Sequence, residues 1–440
     1  MPDIFENFFL SIGKRLEDYL KLIKLTPNYR VYFAGGHQDP SKLLPPYLDV
    51  FSDIKKTQQQ FELFEPWSGV QLEKYLDNAR RNYATAMNTF VFKEYESVFE
   101  LMHLDILKQA ISLHVFSTLY RHVSHYLKNE DLKKILLYTT VFLGTSPYEA
   151  SAAYNIMSHL DFNEGVFYPQ WGLFEISKAM ESIAYEFGVQ IIYHTPVDKI
   201  LVENWKTVGV QSGETMYPAD IVISNADMRY TETKLLEPQY QTYPESFRKK
   251  KVLSPSGFIM YLGVDGTLPQ LLHHTLVFAN DWKSWFDHIF HAPQRSQHPN
   301  YYICNPSKTD PSVAPPNKEN LFVFVPIAPG LDADQSFLES YADSIIEDIE
   351  KNCNIPDLKQ RIEIRRLFAT QDFISYYNAY KGTALWLAHT FNQSAFLRPK
   401  NHSKKVKWLY YVGGYTTPGI GVPMCLVSGQ LVVERILNNR

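Results

Sequence analysis

The residues best suited to bind a charged or electron-rich ligand lie together in residues 408–436. A predicted buried strand, Trp408 to Val412, leads into two glycine turns and then a helix; the glycines are Gly413, Gly414, Gly419 and Gly421. Proline suits the first turn of a helix, so Pro423 indicates that the helix begins at about Val422. Free N–H groups and the helix dipole attract anions there, and glycines let a ligand approach the backbone. The stretch therefore predicts a site for a pyrophosphate or for the edge of a flavin. The alternative, that the glycines only allow turns with positive φ, stays open at this point.

Acid–base, nucleophilic and metal chemistry have less support in the sequence. No triad, paired-carboxylate site or metal-ligand spacing is found, so no metal is expected. The cysteines are Cys304, Cys353 and Cys425, and their wide spacing favours packing roles over a disulfide framework. His389, in the sequence LAHT, is the weak candidate for a polar group that takes part in catalysis. A structural role for His389 fits the sequence equally well.

Composition and charge narrow the class of protein. The chain has 440 residues, of which 45% are hydrophobic and 15% aromatic, and its net charge is −4. These values indicate a globular protein of two or three domains with an apolar ligand or a broad interior, and they give no sign of nucleic-acid binding. The few cysteines favour the cytoplasm. No apolar run reaches the ~18 residues of a membrane span, so we expect a protein that is soluble or bound to a membrane surface.

Residues 68–143 are predicted to be mainly helical. Ser68 and Gln71 have capping-box spacing, and apolar residues then recur at helical intervals in three runs: 72–90, 101–126 and 132–143. Basic residues between the apolar positions would contact lipid headgroups if this layer lies on a membrane: Lys108, Arg121, His122, His125 and Lys128. The alternative is an ordinary solvated helix face.

The rest of the chain alternates between helix and strand patterns. A helix is predicted over Leu173–Phe187, followed by strands at Val189–Tyr193, Val197–Val202, Thr207–Gln211 and Ile221–Ser224. A mixed region follows, with strands at Tyr301–Cys304 and three other places (Gly257–Leu262, His274–Phe278, Leu321–Val325) and a helix over Gln335–Glu350. A further strand is predicted near the start, at Tyr29–Phe33. The fold class is therefore α/β, with nucleotide-binding pieces at 165–226 and 405–440 on either side of the mixed region.

Several segments together resemble the phytoene desaturase family, the flavin-dependent carotenoid desaturases of bacteria and archaea. Diapocarotenoid oxygenases and carotenoid isomerases are related to it. The segments are MPDIFENFF (1–9), FYPQWGLFEISKAMESIA (167–184), ADIVISNADM (219–228), SKTDPSVAPP (307–316), KGTALWLAHTFNQSAFLRPKN (381–401) and YYVGGYTTPGIGVPMCLVSGQ (410–430). The last two are specific to the family, and the resemblance runs nearly end to end.

This sequence departs from the family pattern in four places. Relatives usually have two glycines where Trp171 and Gly172 stand, histidine at Thr417 and often glycine at Trp386. They also begin with a strand, a G-x-G-x-x-G turn and a helix, which this sequence lacks, as its low glycine count of 20 reflects. That turn is the main pyrophosphate cradle, so we expect FAD binding to be weakened or lost.

The resemblance implies a two-dinucleotide-binding FAD domain, here incomplete, interleaved with a mixed-sheet substrate domain and a helical layer. We expect a substrate-domain segment with the membrane-facing helical layer at 1–160, FAD-domain segments at 161–232 and 401–440, and a mixed α+β substrate domain at 233–400. It implies non-covalent FAD, held by these residues: Val197, Asn225, Gly413, Gly414, Gly419, Gly421 and Val422. Tyr168, Trp386, Thr390 and Tyr415 would face the substrate, although core packing is the alternative role for the aromatic ones.

The implied function is FAD-dependent desaturation of a carotenoid precursor of the phytoene or diapophytoene type by an N-terminally shortened chain. Oxidation of a diapocarotenoid, carotenoid isomerisation and non-catalytic carotenoid binding are the alternatives. The implied partners are the carotenoid, the surface of a membrane from the cytoplasmic side, and a quinone or oxygen as electron acceptor.

Overall fold

The largest element is a seven-stranded mixed sheet built from two distant parts of the chain. In this computed structural model, which describes residues 1–36, 44–92, 113–249, 251–394 and 397–438, fourteen strands are present among the described residues. They are β1 (Leu22–Lys24), β2 (Tyr29–Phe33), β3 (Tyr47–Val50), β4 (Phe167–Pro169), β5 (Lys199–Glu203), β6 (Lys206–Ser212), β7 (Thr215–Pro218), β8 (Val222–Ser224), β9 (Ser256–Asp265), β10 (His274–Phe278), β11 (Tyr301–Cys304), β12 (Lys318–Ile327), β13 (Ile362–Phe368) and β14 (Leu409–Tyr411). The large sheet has the order β13-β9-β12-β11-β10-β2-β3. Its pairs are antiparallel except β10 with β2, which run parallel.

The described α-helices of four or more residues cover this sheet and the smaller ones. They are α1 (Pro2–Ser11), α2 (Ile54–Phe64), α3 (Ser68–Ala86), α4 (Leu119–Ser124), α5 (Glu130–Leu137), α6 (Phe174–Glu186), α7 (Glu245–Arg248), α8 (Trp282–Phe290), α9 (Gln335–Asn352), α10 (Leu358–Arg361), α11 (Thr370–Tyr377) and α12 (Val422–Asn438). Within the described parts of the chain, no helix has both the length and the apolar character needed to cross a bilayer.

Alternation along the strands gives the large sheet two different buried faces. Tyr301 and Ile303 pack with the apolar side of α9, including Ile345. On the opposite face, Leu276 and Phe278 pack with α2, α3, α4, α5 and α8. Because side chains alternate across a strand, Tyr302 and Cys304 point toward this second, helix-covered face.

A buried carboxyl group lies under the helical layer. Oδ2 of Asp161 accepts hydrogen bonds from the hydroxyls of Tyr29 (2.7 Å) and Tyr138 (3.1 Å). The backbone carbonyl of Asp161 accepts one from Nδ2 of Asn28. Burial raises the pKa of Asp161 to about 7, although the two tyrosine hydroxyls act in the opposite direction.

A smaller region brings together two strands that are far apart in the chain. β8 and β14 form a two-stranded parallel sheet, with Tyr411 opposite Ser224. Beside it, β5, β6 and β7 form an antiparallel three-stranded sheet. Helix α12 follows β14 and packs its buried Val432 and Ile436 against Tyr410. This strand, turn and helix are the elements predicted over residues 408–436.

Most predicted elements are confirmed, and three predictions are wrong. The strands Tyr29–Phe33, His274–Phe278 and Tyr301–Cys304 have the predicted bounds, and the α/β class is confirmed. Residues 189–193 form no strand; no described strand pairs with them, and an unpaired strand is not stable alone. Ser68 is the first residue of α3, not its cap, and its Oγ has no hydrogen-bond partner among the described residues.

The third wrong prediction is the placing of His122 among the basic residues on the open face of the helical layer. His122 is buried, and desolvation lowers its pKa to about 4, so it cannot present a charge to a membrane. Arg121, His125 and Lys128 are exposed. Lys108, and residues 101–112 of the predicted helical run, lie outside the described residues.

Candidate functional site

The predicted ligand-binding turns lie at the carboxyl ends of β8 and β14. Because the two strands are parallel, the residues that follow them, Asn225 and Gly413, meet at one edge of the sheet. Gly413 has a φ of 99°, and a Cβ on it would lie 2.6 Å from Oδ1 of Asn225. A side chain at residue 413 would therefore displace Asn225. The structure brings these two predicted residues into direct contact.

A buried arginine holds the turn after Gly413. The guanidinium of Arg398 donates to the carbonyls of Gly414 (2.5 Å), Thr416 (3.2 Å) and Leu387 (3.4 Å). Its side chain is 2% exposed, and burial lowers the pKa of Arg398 to about 10. Arg398 therefore fixes the path of the backbone between β14 and α12.

A second network ties the same turn to helix α12. Oγ of Ser428 accepts a hydrogen bond from the backbone N–H of Gly413 (3.2 Å) and lies 3.0 Å from Oγ1 of Thr416. Nδ2 of Asn401 donates to Oγ of Ser428 (3.1 Å) and to the carbonyl of Thr417 (3.2 Å). All of these atoms are buried. The turn is held from the helix side and from the Asn401 side together.

His389 packs against the second glycine turn. A Cβ on Gly419 would lie 2.5 Å from Cε1 of the His389 ring, and Gly419 has a φ of 141°. Nδ1 of His389 is 2.8 Å from the hydroxyl of Tyr154. Nε2 has no hydrogen-bond partner within the described residues. Burial and then the charge of Arg398 lower the pKa of His389, so its imidazole is neutral.

Replacing Gly419 with alanine is expected to move His389 and to destabilise the protein by about 1–3 kcal/mol, because the new methyl group overpacks a filled site. The matched control is Gly429→Ala on α12, where a Cβ would meet no atom within 4 Å. That control should stabilise the helix by up to about 1 kcal/mol. The stability of both variants is measured by thermal unfolding, and their flavin content by the flavin-to-protein ratio. Equal behaviour of the two variants would contradict the contact between Gly419 and His389.

The other predicted ligand-binding residues are spread around these turns. Val422, at the start of α12, is 60% exposed, and a Cβ on Gly421 would make only ordinary contacts of 4.0 Å, with Met424 and Pro423. Val197 precedes β5 and packs at the edge of the core formed around Ile200 and Leu409. Gly414 follows Gly413, and its carbonyl is one of the three that Arg398 holds.

The predicted substrate-facing residues separate into two groups. Trp386 is buried, and its ring lies 5.4 Å from that of Tyr415. Thr390 directly follows His389 and is partly buried. Tyr168 lies on β4 and packs instead against His273, with ring centroids 4.6 Å apart.

An aromatic cavity adjoins the helix-covered face of the large sheet. Its volume is about 40 Å³, and its walls include Tyr138, Phe142, Leu276 and Tyr302. The lining is almost wholly apolar. A cavity of this volume holds a small apolar group and is far smaller than a typical ligand pocket.

The sequence did not reveal Arg398, Tyr154, Asn401 and Ser428 as parts of the site. Arg398 and Asn401 belong to the segment 381–401 that carried the family resemblance, and this was the available signal. Tyr154 reaches His389 across 235 residues, and no spacing rule predicts such a contact.

These features fit a flavin nucleotide. Glycine backbone, the exposed amide of Asn225 and the start of α12 offer neutral hydrogen-bonding groups and a positive dipole end. His389 adds a buried ring nitrogen without a partner among the described residues. Residues 413–421 present no acidic side chain that would repel a pyrophosphate.

Comparison with known proteins identifies the family. The family described as flavin containing amine oxidoreductase matches residues 6–437. The carotenoid 3,4-desaturase of Haloarcula japonica is 41% identical over 443 residues, which cover 100% of this chain and 87% of that protein. The zeta-carotene-forming phytoene desaturase of Myxococcus xanthus is 33% identical, with 99% and 83% covered. The 4,4'-diapolycopene oxygenase of a Methylomonas species is 28% identical, with 99% and 86% covered.

Solved structures show the same fold at low sequence identity. An oxidoreductase from Methanosarcina mazei matches with a TM-score of 0.60 at 16% identity, over 98% of this chain and 85% of that one. A variant of putrescine oxidase matches with a TM-score of 0.58 at 11% identity, over 100% and 86%. With the desaturase relatives aligned over nearly the whole chain, this protein is an oxidoreductase of the flavin-containing amine oxidoreductase family and belongs to its phytoene desaturase branch.

Proposed function

We propose that this chain binds FAD without a covalent bond and desaturates a carotenoid precursor of the phytoene or diapophytoene type. The observation that carries the proposal is the glycine wall at Gly413 and Gly419, set in a chain 41% identical to a carotenoid desaturase over its full length. The wall offers neutral hydrogen-bonding groups and no pair of carboxylates. This suits a reaction in which positioning matters more than acid–base chemistry.

Four groups of this chain would hold the flavin nucleotide. Asn225 and the glycine backbone at Gly413 lie at the sheet edge, and Gly421 and Val422 lie at the start of α12. When bound, FAD supplies a hydride acceptor. Arg398 and Ser428 do not need to touch the nucleotide, since their contacts are with the backbone that forms the wall. We propose that these two residues position the wall.

His389 is proposed to act as a neutral polar group beside the flavin. The pKa of His389 is lowered, so its ring is neutral and carries one N–H; when Nδ1–H donates to the hydroxyl of Tyr154, no proton is left on Nε2. Nε2 remains free to accept a hydrogen bond. The proton lost with each desaturation would therefore leave through a transient acceptor such as this nitrogen or water.

The carotenoid is proposed to be held by apolar contacts. Burying a hydrocarbon stabilises the complex by about 0.8 kcal/mol per CH₂ group, so a long isoprenoid needs few polar contacts. The aromatic cavity beside Tyr138 and Tyr302 is too small for a whole carotenoid, and we assign it one end of the chain. Trp386 and Tyr415 lie nearer the glycine wall and would contact the part that reacts.

We propose that the protein takes its substrate from a membrane surface, with a quinone or oxygen as the final electron acceptor. Three apolar side chains in one short segment support contact with lipid: Trp171, Leu173 and Phe174 are 60%, 71% and 68% exposed. Interfacial tryptophan and phenylalanine favour the headgroup region. Flotation with lipid vesicles should fall several-fold in Trp171→Ser combined with Phe174→Ser. Unchanged flotation would rule out this segment as the contact.

Product analysis tests the function. The chain is produced in cells that make phytoene or diapophytoene and that supply FAD. The carotenoids are then separated by chromatography, and their masses are measured by mass spectrometry. Loss of two hydrogens per new double bond, with absorption moved to longer wavelength, is expected. The flavin-to-protein ratio of the purified chain tests the prediction that FAD binds weakly.

Other outcomes would favour the alternatives. Gain of oxygen would identify a diapocarotenoid oxygenase. This alternative is supported by the 28% identity to the 4,4'-diapolycopene oxygenase of Methylomonas. Unchanged mass with altered double-bond geometry would identify an isomerase. Substrate that stays unchanged with flavin bound would refute catalysis by this chain, and bound carotenoid without flavin would indicate a binding protein.

A further inference from the structure

Two histidines and a cysteine meet at one corner of the large sheet. His273 directly precedes β10, His274 is its first residue, and Cys304 is the last residue of β11. His274 and Cys304 are cross-strand partners in the antiparallel ladder. One ring nitrogen of each histidine and the sulfur of Cys304 all lie within 4.8 Å of one another.

Each histidine ring is held by a hydroxyl group. Nδ1 of His273 is 2.7 Å from Oγ1 of Thr309, and Nδ1 of His274 is 2.6 Å from the hydroxyl of Tyr302. When Nδ1–H donates to such an oxygen, the other ring nitrogen, Nε2, carries a lone pair. Metal-binding histidines in proteins are oriented in this way, by a hydrogen bond from the nitrogen that does not bind the metal.

Tyr168 gives a second, independent sign of a ligand at this corner. Its side chain is 5% exposed, and its ring packs at right angles to His273. Its hydroxyl has no hydrogen-bond partner in the described parts of the chain. A buried hydroxyl without a partner costs about 1–3 kcal/mol, so a group that engages it is expected.

We propose that His273, His274 and Cys304 form a binding site for a thiophilic transition metal ion of the Zn²⁺ class, with Tyr168 beside the fourth position. Two imidazoles and one thiolate suit zinc, and this group contains no carboxylate that would favour magnesium or calcium. In a tetrahedral zinc site the donor atoms are roughly 3.5 Å apart, so the widest separation must close by about 1 Å. Rotation of the side chains supplies this movement. On binding, the thiol of Cys304 loses its proton to solvent and no electron is transferred.

A bound ion would take no part in the desaturation chemistry itself, and the site links parts of the chain that are far apart in sequence. A bound ion would join β10, β11 and, through Tyr168, β4. Tyr302 also lines the aromatic cavity, so the ion would stiffen one wall of that cavity. The expected consequence is a higher unfolding temperature in the presence of the metal.

Metal titration of the whole chain tests the proposal. The protein is prepared without a histidine tag, treated with a chelator under reducing conditions, and titrated with Zn²⁺ by calorimetry and with Co²⁺ by absorption. One equivalent of metal and a thiolate-to-cobalt absorption band are expected. Cys304→Ser and His274→Gln should lose the band, whereas Cys353→Ala and His298→Gln should keep it. Tyr302→Phe and Thr309→Val should weaken binding by about 10–100-fold.

Alkylation of the wild-type chain gives a measurement that needs no variant. Bound Zn²⁺ should protect Cys304, but not Cys425, from a thiol reagent, as read from peptide masses. Failure of Co²⁺ to give the band, equal Zn²⁺ binding by folded Cys304→Ser, or equal reactivity of Cys304 with and without Zn²⁺ would each overturn the proposal.

Discussion

Replacing Arg398 with methionine is expected to abolish flavin binding and to destabilise the protein by about 3 kcal/mol. Methionine is of similar length but leaves the carbonyls of Leu387, Gly414 and Thr416 without their donor. Each buried carbonyl that loses its donor costs about 1–3 kcal/mol of stability. Removal of the buried charge of the guanidinium offsets part of the total for the three carbonyls. The turn at Gly414 would then be held only by the contacts of Ser428 and Asn401. Flavin absorbance per protein and thermal unfolding measure the two effects.

Arg80→Met is the matched control for this prediction. Arg80 is exposed on α3 and pairs with Asp77, and surface changes of this kind usually stay within about 0.5 kcal/mol. At roughly 2.1 cal/mol/K of unfolding entropy per residue, 3 kcal/mol corresponds to about 3 °C in this chain. Arg398→Met with full flavin content would show that the wall does not depend on the guanidinium.

The second large effect is a pH dependence of stability that comes from Asp161. Its pKa in the folded protein is about 7, above the ordinary value of 3.8, because the carboxyl is buried. Between these pH values the folded state keeps a proton that the unfolded state has lost. The stability that Asp161 contributes is therefore present below pH 4 and is lost as the pH rises to 7. Three pKa units amount to roughly 4 kcal/mol.

Asp161→Asn removes this dependence and keeps an oxygen that accepts from Tyr29 and Tyr138. The unfolding temperature of the variant minus that of wild type should rise by about 4 °C between pH 4 and pH 8, given the same entropy per residue. Asp77→Asn, at an exposed position of α3, is the control for the change of charge. A difference that stays constant with pH would mean that Asp161 is ionised in the folded protein throughout this range.

Five of the seven strands of the large sheet were predictable because they are marked by local pattern, whereas β3 and β13 were not predicted. In Tyr301–Cys304 and His274–Phe278 aromatic and β-branched residues are bounded by polar or turn residues, and both strands have the predicted bounds. The stretch 189–193 shows the limit of such patterns. Its residues have the composition of a strand, but a strand forms only where another supplies hydrogen bonds, and the sequence of the segment holds no information about its neighbour.

The candidate site was partly predictable for a similar reason. Gly413 could be named because it follows a predicted strand, and Asn225 was implied by the family resemblance. The parallel pairing of β8 with β14 places the two residues together. The contacts that fix the glycine wall at Gly413 and Gly419 join residues that are distant in sequence, so no local pattern predicts them. Arg398 and Tyr154 act through hydrogen bonds to distant backbone and to His389, and a buried arginine looks the same in sequence as an exposed one. The role of each predicted site residue, and the four segment boundaries, remain predictions.

The parallel pairing of β2 with β10 has a consequence for synthesis on the ribosome. β10 leaves the ribosome about 240 residues after β2, and at about 5–20 residues per second this delay is roughly 10–50 s. During that time Val31 and Phe33, which end up in the core, lack their neighbour strand on one side. The nascent chain therefore leaves the backbone N–H and C=O groups on one edge of β2 unpaired for many seconds, and an unpaired edge favours aggregation. Cells that make this protein would gain from a chaperone that covers its first fifty residues until the sheet closes.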